Sequence, residues 1–64
     1  MMDSHELAAT YEQFLTLYDR LFEAGHREAA FHVLAAAVHC AEDLCDRGRL
    51  AKARHLVTQH MIHV

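Results

Sequence analysis

The sequence predicts an all-α fold of three antiparallel helices, arranged as an up-down-up bundle or as helical hairpins. Three observations carry this. The 64 residues include no proline and only two glycines, at positions 25 and 48, so few places exist where a helix must break. Apolar residues recur at steps of three and four, the helical period, with no alternating runs that would mark strands. The middle of the chain is rich in alanine, the strongest helix former.

The first helix is expected over about 4–24. Asp3 and Glu6 have capping-box spacing, in which Asp3 accepts from a first-turn amide and Glu6 reaches back. Leu7, Tyr11, Phe14, Tyr18 and Leu21 then form an apolar stripe, flanked by Leu15, Leu17 and Phe22. Gly25 follows the helix, where a left-handed backbone is needed. A second helix is expected over about 27–46, ended by Gly48, and a third over about 49–63. Short connections make neighbouring helices antiparallel. Helix 2 has the widest apolar arc and a narrow polar stripe of Glu28, His32, His39, Asp43 and Asp46, so it is the central element. Helix 3 collects Leu50, Ala53, Leu56, Val57, Met61 and Val64 on one face.

Helix 1 is apolar over roughly 200° of its circumference, whereas a helix with two neighbours needs little more than 100°. Leaving two aromatic side chains in water would forgo about 1.5–3 kcal/mol each. That is a large share of the stability of so small a domain, which is on the order of 5 kcal/mol. The surplus therefore points to association, with Tyr11, Phe14, Leu15, Tyr18 and Phe22 as core or interface contacts. The expected partner is a second copy, giving a homodimer, or another protein.

The surroundings of the two glycines correspond. Leu21 precedes Gly25, and Ala30, Leu34 and Ala37 follow it. Leu44 precedes Gly48, and Ala53 and Val57 follow at the same offsets, with His32 matching His55. Over residues 14–57 this resembles tetratricopeptide-type helical hairpins, in which a turn glycine and small alanines let helices approach closely. The chain departs from that pattern in its long helices, in lacking the proline that closes a repeat, and in His60 and Tyr18 where small residues belong; Ala41 fits. The resemblance implies a protein-interaction role and brings no catalytic residues.

Charge and motifs narrow the function further. The net charge is −3 with histidine neutral, the wrong sign for offsetting phosphates, so no nucleic-acid partner is expected. His32 and His39 interrupt the longest apolar stretch, so no membrane span is expected. The first six residues lack the basic flank and apolar core of a signal peptide, and a cytoplasmic location is expected. Cys40 and Cys45 lie about 140° apart on a helix, cannot bridge within it, and are expected as buried thiols.

Seven histidines raise a metal-binding alternative. Glu28/His32 and His39/Asp43 have the i,i+4 spacing that suits one ion, and His60/His63 the i,i+3 spacing. His32 and His39 are about 10.5 Å apart along the axis, too far to share an ion. Each pair thus supplies two of the four ligands of a closed site. His60 falls on the apolar face of helix 3, as a core histidine or a pH-sensitive contact. No nucleophile elbow or phosphate loop occurs, so neither catalysis nor a cofactor is expected.

Overall fold

The computed structural model describes residues 2–62 and is built of three helices, α1 (Ser4–Glu23), α2 (Arg27–Leu44) and α3 (Arg47–Ile62). No strand occurs among the described residues. Asp3 caps α1: its Oδ1 accepts the Glu6 amide at 2.8 Å, and its carbonyl accepts the Leu7 amide at 3.0 Å. The helix closes with Gly25 at φ 88°. There the Gly25 amide donates to the Phe22 carbonyl at 3.1 Å, and the His26 amide to the Leu21 carbonyl at 2.9 Å. These paired bonds satisfy carbonyls that the helix end leaves open.

The second turn overturns the role expected of Gly48. The same pair of bonds recurs, from the Cys45 amide to the Glu42 carbonyl at 3.0 Å and from the Asp46 amide to the Ala41 carbonyl at 3.2 Å. The left-handed residue is Cys45, at φ 54°. Asp46 then starts α3 immediately, its Oδ1 accepting the Arg49 amide at 3.0 Å. Gly48 lies inside the first turn of α3, so α2 is two residues shorter than expected and α3 begins two residues earlier. An aspartate able to cap the next helix makes a terminating glycine unnecessary.

α1 packs on α2 and α2 packs on α3. Among the described residues no Cα of α1 comes within 8 Å of a Cα of α3. Side chains span that gap: the Tyr11 hydroxyl donates to the Arg49 carbonyl at 3.0 Å, and Tyr18 meets His60 at 3.1 Å. The pairs run in the same order along both helices, so α1 and α3 are parallel to each other, as an up-down-up path requires. Ala30, Ala37, Ala41 and Ala53 are fully buried beside Leu34, and their small side chains let α2 sit close to both neighbours. The molecule is thin, with Cα extents of 33 × 19 × 13 Å.

This arrangement assigns the first of the two uses expected of the α1 residues, core contact, to three of them. Tyr11, Leu15 and Tyr18 are core residues of the single chain, Tyr11 only 1% exposed. Phe14 and Phe22 are partly buried against that core. The wide apolar arc of α1 is consumed by the open space between α1 and α3, which needs long side chains to fill it. Cys40 is buried as expected, but Cys45 is exposed at its turn. Met61, expected on the apolar face of α3, is 64% exposed. His63 and Val64 lie outside the described residues.

Candidate functional site

At the end of the molecule where α1 finishes and α2 begins, three aromatic rings surround one imidazole. His60, 4% exposed, has its Nδ1 3.1 Å from the Tyr18 hydroxyl. Its ring centroid lies 5.9 Å from Tyr18, 5.7 Å from Phe22 in an edge-on contact and 5.5 Å from Phe31. These are favourable aromatic separations. The Arg27 guanidinium sits 5.2 Å from the centre of the Phe22 ring, within cation–π range.

His60 separates two grooves. One, of about 420 Å³, is lined by Arg27, Glu28, Phe31, His60 and Met61, between α2 and α3. The other, of about 220 Å³, is lined by Tyr18, Asp19, Phe22, Leu56, Gln59 and His60, between α1 and α3. Beside them, Met61 and the 72% exposed Ile62 leave apolar surface open at the end of α3. Phe31, on the edge of the α2 polar stripe, carries no mark in the sequence that singles it out.

The opposite end is polar. Arg49 Nη1 donates to Asp46 Oδ2 at 2.6 Å, and the guanidinium lies 5.6 Å from the Tyr11 ring centre. Hydrogen bonds from the Arg49 amide and then its guanidinium hold the Asp46 carboxyl below its ordinary value of 3.8.

The expected metal pairs do not form a centre. Glu28, His32, His39 and Asp43 are all exposed on α2, and His39 Nδ1 instead lies 3.1 Å from Glu42 Oε1. Among the described residues no three His, Cys, Asp or Glu side chains converge on one point. α2 is flanked by α1 and α3 on its apolar arc, so neither neighbour brings ligands to its wet stripe. Burial, with the Asp43 charge adding to it, pushes the Cys40 thiol up and keeps it protonated at neutral pH. No helix among the described residues is long and apolar enough to cross a membrane.

Comparison with protein-family models, with curated proteins and with solved structures returned no match.

Proposed function

We propose that this chain is a small helical association module without catalytic activity, and that its first partner is a second copy of itself. The observation that carries this reading is the apolar surface at the end of α3. Met61 and Ile62 stand exposed beside a groove with Phe31 in its wall, while the α1 tyrosines are already buried. A fold this small has little stability to spare, and covering these side chains recovers burial that the single chain leaves unused.

Sedimentation velocity across the micromolar range tests the reading. The expected species is larger than the 7.3 kDa chain, converging on two copies as concentration rises. Its mass should not respond to a chelator. Ile62→Asp should shift the equilibrium toward single chains while leaving the helical circular dichroism unchanged. A wild-type protein that sediments as one chain throughout that range refutes self-association.

A further inference from the structure

We infer that the groove between α2 and α3 is a binding site for a small, neutral aromatic hydroxy compound, held by His60 Nε2. The groove is formed within one chain, so this site goes beyond self-association and does not depend on it.

The imidazole has one nitrogen to spare. His60 is 4% exposed, and its Nδ1 is committed to the Tyr18 hydroxyl of α1 at 3.1 Å. Nε2 meets no hydrogen-bond partner among the described residues. It is not sealed in protein either, because the only buried side-chain nitrogen or oxygen without a partner among those residues is Arg49 Nε. Nε2 therefore opens onto accessible space. The two ring nitrogens point in largely opposite directions. With Nδ1 turned to α1, Nε2 is turned away from α1, to the side on which the ring lines the α2–α3 groove. A polar atom so nearly buried has lost most of its hydration and needs a partner to recover it.

Water meets that need poorly. Beside His60 the walls are Phe31 and Met61, whereas a well-ordered water takes about two to four polar partners. A loosely held water is displaced with a gain in affinity by a ligand that has an apolar body. The groove, about 420 Å³, falls within the range of small-molecule sites, about 300–1,000 Å³.

The walls select a ring and the nitrogen selects a hydroxyl. The Phe31 ring centre lies 5.5 Å from that of His60, so an aromatic face stands next to Nε2. Met61, 64% exposed, adds a flexible thioether, which packs well on aromatic rings. A ligand ring between the two gains both contacts. If Tyr18 donates to Nδ1, Nε2 carries the proton and donates; if Nδ1 donates to Tyr18, Nε2 accepts. A hydroxyl answers either state. Arg27 and Glu28, both exposed, complete the lining with opposite charges, which favour no net charge on the ligand.

p-Cresol against toluene, the same ring and methyl group without the hydroxyl, tests the site by nuclear magnetic resonance titration of the full chain. p-Cresol should shift the Phe31 and Met61 signals saturably, with a Kd on the order of 1 mM, and should move the Nε2 resonance of His60. Toluene should bind about tenfold more weakly and move Nε2 far less. Phe31→Ala should weaken p-cresol binding about tenfold with its helical circular dichroism retained. Ile62→Asp, which lies outside the lining, should bind p-cresol at least as tightly as wild type, so a failure of self-association leaves this site standing. Equal affinity for toluene, shifts that rise without saturating, or an Nε2 signal that p-cresol does not move would each overturn the assignment. So would Phe31→Ala binding as wild type does, or Ile62→Asp losing the ligand.

Discussion

At the residue scale, the two tyrosines of α1 decide what the fold requires. Each spans the gap to α3 with its ring and ends on a polar atom, Tyr11 on the Arg49 carbonyl and Tyr18 on His60. Phenylalanine would supply the same ring but leave a buried acceptor or imidazole without its partner, at about 1–3 kcal/mol. Tyr18→Phe is therefore expected to lower stability to urea by that order. Pairing it with His60→Leu should recover part of the loss, because an apolar pair leaves nothing unsatisfied. The same hydroxyls predict behaviour in base. Burial, more than the neighbouring Glu12 and Asp19 charges, raises the ionisation of Tyr11 and Tyr18 above the ordinary value of 10.0. A group whose folded value is raised contributes stability that is complete below its unfolded value and lost as pH climbs through the folded one. Stability should thus hold up to about pH 10 and fall above it, and Tyr18→Phe should show a smaller alkaline loss than wild type. An equal loss in both proteins would mean that Tyr18 is not the titrating group.

At the element scale, the helices were more legible than their ends. Asp3 and Gly25 perform the capping that their residue types imply. Gly48 does not, and the reason is physical: a glycine can end a helix, but Asp46 begins one, and the two signals stood only two residues apart. Cysteine in the left-handed region gives no compositional warning. The two glycines should consequently respond to alanine with opposite signs. At Gly25 an added Cβ meets nothing within 4 Å, so the penalty is conformational, about 1–2 kcal/mol. At Gly48 the added Cβ would lie 3.5 Å from Asp46 Oδ1, an ordinary contact. Gly48→Ala should raise stability by about 0.5–1 kcal/mol, the gain of alanine over glycine inside a helix. Cys45→Gly should also stabilise, by relieving the strained turn. Thermal melts of these three variants check the assignment, and a destabilising Gly48→Ala would return that residue to the role its sequence context implied.

At the scale of the whole molecule, the amphipathic pattern conveys how much of each helix is covered but not by which neighbour. The breadth of the α1 arc was visible in the sequence; its cause, an α1–α3 gap bridged only by side chains, was not, because helical phase carries no interhelical distance. That gap, filled by the tyrosines, leaves the exposed apolar surface at Met61 and Ile62 instead. It also sets the energetics of the proposed pair. A chain of 64 residues has about 3–10 kcal/mol of stability by the usual range per residue. Leu34, fully buried at the centre of α2, contributes enough that Leu34→Ala removes about 2–5 kcal/mol. The variant should be largely unfolded when dilute. If two copies associate only when folded, mass action favours the folded pair, by about 1.4 kcal/mol for each tenfold rise in concentration. The far-ultraviolet helical signal of Leu34→Ala should therefore recover with concentration, and the wild-type melting temperature should climb over the same range. Superimposable melts at every concentration would show that folding and association are not coupled, and the chain would have to stand on its three helices alone.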